Sequence, residues 1–328
     1  MPATVLALDF HVDRATGSDS FTALQAQNPE QPWATIGHAL RSVQNSGGPH
    51  TIHVAAGLYL ESLESAYAGI TLQGASGAIL EAPADSAGLY VEHEDFTLDG
   101  LEIRGGRHGL RADTANGLII RNCIIRDAAK NGIHITNSQN VRVENTEAHN
   151  NGSRGILIER SAPSYVRNNL VTENQEWGIE VDGGDSEIFP PGTNHLASFN
   201  TVIQNGVLAT HGGLRFENAT GEIRNNILAS NAGRAIKVDT APTFIHHNLI
   251  WAQSLTIDFD TDQEPLIWNL IEADPLFAGN GDYRVAANSP AIDAGDAEVS
   301  VADINGSIRT DLAPDTGLAD LGRHVEAS

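Results

Sequence analysis

GIHITNSQNVRVENTEAHNNGSRGILIERSAPSYVRNNLVTENQEWGIEVD, residues 132–182, is nearly a repeat of itself. A glycine followed by an alternating β-forming stretch occurs at Gly132, Gly155 and Gly178. Upstream the same unit appears as GLYVE from Gly88 and GLRAD from Gly109. Downstream it continues as GLRFE from Gly213 and, with alanine for glycine, AIKVD from Ala235. A second series runs in step with it: Asn122, Asn145, Asn169, Asn200, Asn226, Asn248 and Asn269, separated by 23, 24, 31, 26, 22 and 21 residues. Two short strands in constant phase within each period exclude helix-pair repeats, which are longer and carry a 3.6-residue pattern. Leucine-rich repeats have a comparable length but need a leucine spacing that is missing here. The fold class expected is all-β, a single-stranded right-handed parallel β-helix, with asparagines stacked at one corner to satisfy backbone groups at a buried bend.

The ends read as caps on one domain spanning 1–328. PWATIGHALRSVQN (33–46) places Ile36, Leu40 and Val43 on one helical face and predicts an amphipathic helix over the open first coil. TIHVAAGLYLES reads as the first strands, coils fill about 50–270, and the Pro/Gly/Asp-rich segment 271–328 is expected to pack on the stack. Its aspartates Asp293, Asp296, Asp303 and Asp320 read as turn-formers.

Composition narrows the partners. The net charge is −23, from 42 acidic against 19 basic residues, and only Lys130 and Lys237 are lysines. Such a surface repels nucleic-acid phosphates and anionic membranes, so neither is expected as a partner, and a monomer is expected. An anionic glycan remains compatible, because a cleft is governed by its local field. Cys123 is the single cysteine, which excludes an intrachain disulfide. MPATVLALDF lacks a basic segment followed by a sustained apolar core, so a signal peptide is not expected within it.

HVDRATGSDS, PWATIGHAL and IHVAAGLYLES together resemble the opening segment of secreted β-helix proteins of the pectate lyase superfamily. The later segments DPLF (274–277), GDYRV (281–285), NSPAIDAG (288–295), DINGSIR (303–309) and ADLGR (319–323) resemble their tails. The resemblance implies the β-helix fold, a polysaccharide partner and an extracellular or periplasmic location. Lyases, hydrolases, epimerases and non-catalytic binders share this scaffold, so the reaction has to be argued from the site.

Strand alternation maps that site. In each glycine-strand the first and third residues after glycine are expected inside, and the second and fourth outside. Stacking gives one outer column of Tyr90, Arg111, His134, Leu157, Glu180, Arg215 and Lys237, and another of Glu92, Asp113, Thr136, Glu159, Asp182, Glu217 and Asp239. Cross-strand ion pairs on a solvated face account for the first coils. Asp182, Glu217 and Asp239 in register require a compensating cation, a shared proton or nearby bases. Loop lengths single out the same coil. Glycine to asparagine takes 13 or 14 residues in most coils but 22 after Gly178, and asparagine to glycine takes 9 or 10 but 13 after Asn200. These insertions, which carry Phe189, His195 and His211, are either walls of a binding site or tolerated surface loops.

Three functions fit this face. The first is a polysaccharide lyase cleaving an acidic glycan by β-elimination. Calcium would be held by Glu180, Asp182, Asp185 and Glu217, Lys237 would be the base and Arg215 the enolate stabiliser, roles similar to those the resemblance implies. Asp239 and His134 are further catalytic candidates; Tyr90, Arg111, Glu159, Phe189, His195 and His211 are candidate glycan contacts. The second is an inverting glycoside hydrolase, with Asp182 and Asp239 two coils or about 9.6 Å apart, against the roughly 6.5–9.5 Å such carboxylates use. THGG (210–213) followed by AIKVD resembles polygalacturonase-type segments, but the paired aspartates expected in preceding coils are absent. The third is a non-catalytic glycan-binding or structural β-helix.

Overall fold

The computed structural model describes residues 7–43, 49–184, 192–240, 242–253, 255–259, 265–299 and 306–325. Each coil follows one pattern, seen in Leu110–Asp113, Ile119–Arg121 and Ile124–Arg126, before the chain enters the next coil at Ile133–Thr136. Equivalent strands stack in parallel, giving among the described residues sheets of nine glycine-strands, eleven second strands and ten third strands. The core is the alternation predicted above. Ile133, Ile135, Ile156, Ile158, Ile179 and Val181 are buried and stack residue on residue, each contributing about 1.5–3 kcal/mol of burial.

The second and third strands are separated by only two residues, and this bend explains the asparagines. Its first residue is left-handed: Asn122, Asn145, Asn168, Phe199, Asn225, His247 and Asn269 all have φ between 50° and 58°. Its second residue forms the ladder. Asn169, Asn200, Asn226 and Asn248 are buried, and each side-chain oxygen accepts the backbone N–H of the ladder residue one coil earlier at 2.9–3.0 Å. Asn122, Asn145 and Asn269, which the spacing places in the ladder, therefore stand outside it. They occupy the neighbouring left-handed site, which also favours asparagine. Thr146 and Cys123 hold the ladder position in the earlier coils, where burial pushes the Cys123 thiol up to about 12.

A second ladder, unanticipated, runs through Asn151, Asn174, Asn205, Asn231 and Gln253 at the bend before the glycine-strand. It accounts for the recurring glycine. A Cβ on Gly155 would lie 2.7 Å from the Asn174 amide nitrogen and 2.8 Å from the Gly178 carbonyl.

The helix is shorter than 33–46. It runs Ile36–Ser42, with the Thr35 side chain accepting from His38 N–H and the Glu61 carboxylate from the first-turn N–H groups of Ile36 and Gly37. Trp33 instead bridges Val12 and stacks on Phe10, and Val43 is the C-cap; residues 44–46 lie outside the described residues. A strand preceding the predicted first strands, Leu8–Val12, pairs with His50–Val54. The tail returns along the third strands: Val285, Ala291, Ile308 and Leu321 pack on Ile227 and Leu249. Two aspartates read as turn-formers are buried in it, Asp296 against Arg224 and Asp320 beside Asp315. Burial first, then the neighbouring carboxylates, pushes Asp320 up to about 6. Asp303 lies outside the described residues.

Replacing Asn200 by alanine removes an acceptor shared by the Asn169 N–H and amide and a donor to the Val166 carbonyl. The variant is expected to lose roughly 2–4 kcal/mol in chemical denaturation.

Candidate functional site

The glycine-strand face carries the columns in the expected register. Tyr90 pairs with Arg111, then His134, Leu157, Glu180, Arg215 and Lys237, and Asp113 leads through Thr136, Glu159 and Asp182 to Glu217. From Tyr90 to Lys237 this is a strip of roughly 29 Å at one strand spacing per coil. Its three stretches differ chemically.

The first stretch is mixed in charge, Arg111 standing beside Tyr90 with Glu64, Glu92 and Asp113 around it. Tyr90 and Arg111 flank a recess of about 280 Å³, with the Arg111 guanidinium 5.7 Å from the Tyr90 ring centre. Arg107 and Lys130, exposed at the edge where each glycine-strand begins, lie in consecutive coils, Lys130 N–H donating to the Arg107 carbonyl. Both lysines of the chain therefore stand on this face or its edge.

The second stretch is a histidine–carboxylate pair. His134 Nε2 lies 2.5 Å from Glu159 Oε2, which holds the Glu159 carboxyl below its usual range. His108, whose ring centre is 5.0 Å from that of His134, is kept neutral by burial and then by the adjacent His134 and bases, its value lowered to about 4.

The third stretch is an ion-pair network. Glu180 lies in the outer column yet is buried, because Arg154 from the preceding bend and Arg215 from the next coil close over it at 2.8 and 3.2 Å. Arg215 also pairs with Glu217 at 2.5 Å and lies 6.0 Å from the Trp177 ring centre. Burial raises Glu217, with Asp182, Asp239 and Glu180 adding to the rise against the pull of Arg215. The remaining acids are anchored by main chain: Asp182 accepts from Gly184 N–H and Asp239 from Asn218 N–H, both at 2.8 Å.

These contacts alter several expected roles. Glu180 is not an open calcium ligand, since its two oxygens face arginines. Among the described residues, Glu180, Asp182 and Glu217 do not converge within one ligand sphere; the groups that do lie elsewhere. Asp185 and Phe189 lie outside the described residues. His195 is not a surface contact. Its strand, Gly192–Ser198, has a register shift before His195, which turns that ring into the core against Phe216, with Ser164 Oγ 2.6 Å from Nδ1. His211 stays near the surface, its Nδ1 3.1 Å from the Gln175 carbonyl. Leu157, in the outer column, is also buried.

The family model for the right-handed β-helix region matches residues 87–251. This chain is a member of that family. The β-helix superposes on the crystal structure of pectate lyase Pel9A with a TM-score of 0.66 at 14% identity, over 99% of this chain and 98% of that one. A pectin methylesterase from Aspergillus niger gives a TM-score of 0.53 at 14% identity, over 79% and 87% of the two chains. An alginate lyase from Paenibacillus sp. str. FPU-7 gives 0.51 at 16% identity, over 72% and 93%. At such identities the likeness is one of fold. No curated protein matches the chain.

Burial lowers His195 to about 4 from an ordinary 6.5. The unfolded chain takes up that proton first, so the associated stability is complete above pH 6.5 and is lost as pH falls towards 4. His195→Gln is expected to flatten the stability profile in this window by up to about 3 kcal/mol, read from denaturation midpoints at stepped pH.

Proposed function

We propose that this β-helix binds an acidic polysaccharide along the glycine-strand face and cleaves it by β-elimination. The observation that carries the reading is the placing of cations. In a chain of net charge −23, Arg111, Arg215 and Lys237 share one outer column, with Arg107 and Lys130 along its edge. A run of carboxylated sugars laid on the strip meets Arg111 near one end and Arg215 and Lys237 in consecutive coils at the other, with the acidic column of Asp113, Glu159, Asp182 and Glu217 alongside. Tyr90 and Arg111 offer an aromatic and a cationic contact at one end of the strip.

β-Elimination requires three things of the protein. The uronate carboxylate must be neutralised so that the adjacent C–H acidifies, a base must take that proton, and the oxygen leaving from the neighbouring carbon must be protonated as the double bond forms. In this reading Arg215, held rigid between Glu180 and Glu217, neutralises the carboxylate. Lys237, one coil further along the column, is the base, and the leaving oxygen takes its proton from water. Among the described residues no group of three metal donors is assembled on this face.

The raised Glu217 favours a second reading. A carboxyl whose hold on its proton is strengthened by burial and by Asp182 and Asp239 is a candidate general acid for an inverting glycosidase, with one aspartate as general base.

A panel of pectic, alginate and neutral glycans, assayed for ultraviolet-absorbing unsaturated ends and for reducing ends, separates the two. The lyase reading expects unsaturated product from an acidic glycan. It also expects Lys237→Ala to reduce turnover about 10²–10⁴-fold with binding retained, and Arg111→Ala to raise KM. Reducing ends without unsaturation, lost in Glu217→Gln but not in Lys237→Ala, would replace it with the hydrolase.

A further inference from the structure

Away from the glycine-strand face, two groups among the described residues bring three potential metal donors within 4.8 Å of one another: His246, His247 and Asp296, and Asp315, Asp320 and His324. The first is internally satisfied. Arg224 lies 3.0 Å from Asp296, His246 Nε2 meets Glu222 at 2.6 Å, and the two imidazole Nδ1 atoms meet at 2.8 Å. A cation there would face the Arg224 guanidinium.

The second group is different. The Asp315 side chain is 3% exposed, and although its Oδ2 accepts the Asp320 N–H at 2.9 Å, its buried Oδ1 has no hydrogen-bond partner. His324 adds an independent observation. Its Nδ1 lies 3.0 Å from the Gly322 carbonyl, which can only accept, so Nδ1 carries the hydrogen. In the neutral ring Nε2 is then a lone pair, and it faces the acceptor Asp315 Oδ2 at 3.1 Å. Two acceptors in a dry site do not face each other without a positive charge between them. A histidine whose far N–H is held by a main-chain carbonyl is also the usual arrangement of a metal ligand.

We propose that Asp315, Asp320 and His324 form a binding site for one zinc ion that clamps the tail onto the β-helix. Calcium prefers an all-oxygen shell, whereas zinc accepts imidazole nitrogen with carboxylate oxygen. Two donors at the bond lengths zinc adopts lie roughly 3.3 Å apart across a tetrahedral ion; Nε2 and Oδ2 are separated by 3.1 Å. The clamp has something to hold. His324 N–H donates to Asn168 Oδ1, Asn168 donates back to the His324 carbonyl, and the His324 ring meets Phe199 edge-on at 5.8 Å. Both partners lie in the left-handed bend beside the first ladder.

The test uses the full chain, stripped with chelator and titrated with zinc ion, read by native mass spectrometry and by Tm. The expected result is one tightly held zinc per chain and a Tm about 5 °C higher at roughly hundredfold excess over Kd. Asp315→Asn and His324→Gln, which keep the side-chain shapes, should bind at least about tenfold more weakly, and His246→Gln should bind as the wild type does. Failure of the wild type to hold zinc, with Tm unmoved by the ion, overturns the proposal without recourse to any variant. Zinc binding undiminished in both variants, or a Tm that responds to calcium and not to zinc, overturns it as well.

Discussion

The two-residue bend between the second and third strands is the constraint on which the structure depends. A chain that reverses so sharply inside a stack leaves main-chain groups that neither water nor the sheet can reach, and each would cost about 1–3 kcal/mol unmet. The stacked amides of Asn169, Asn200, Asn226 and Asn248 answer that demand, each taking an N–H from the coil before it. Across those coils the amides and the strand register stay in line together. At Gly132, Gly155, Gly178 and Gly213 an amide of the second ladder lies where a Cβ would be.

Because the ladders hold register so tightly, the glycine-strand face is a ruled surface. Its side chains come at coil intervals, and charge alternates by column instead of by chance contact. Insertions are accommodated between strands, so the long connections on either side of Asn200 leave the pairing of Glu180 with Arg215 intact. The same rigidity lets arginines from neighbouring coils bury a carboxylate: Glu180 is held by Arg154 and Arg215 and contributes order to the face instead of an open ligand.

Much of this was legible in the residues. The period, the inward isoleucines and both outer columns follow from counting by two within a strand and by coil between strands. Three things were not. The ladder was read one residue out of phase in some coils, since asparagine suits both the left-handed bend site and the ladder site beside it. His195 was read as a surface residue, because alternation cannot be counted through a loop and an irregular register. The Asp315–His324 cluster depends on a tail whose partners are distant in sequence, Asn168 being 156 residues from His324. Local pattern carries strand parity; it does not carry which distant segments meet.

The ladder also has a direction. Each asparagine presents its amide oxygen to the coil before, and Asn169, Asn200 and Asn226 give one amide hydrogen to the coil after and the other to a carbonyl of the coil before, so the series has unlike ends. The series ends where Leu270 follows Asn269. Asn248, last in line, gives its amide hydrogens to the Ile223 carbonyl and to the His246 carbonyl of its own bend. The sheets nevertheless run on for one more coil, Leu249–Trp251 pairing with Ile271–Glu272, so the amide series ends before the stack does.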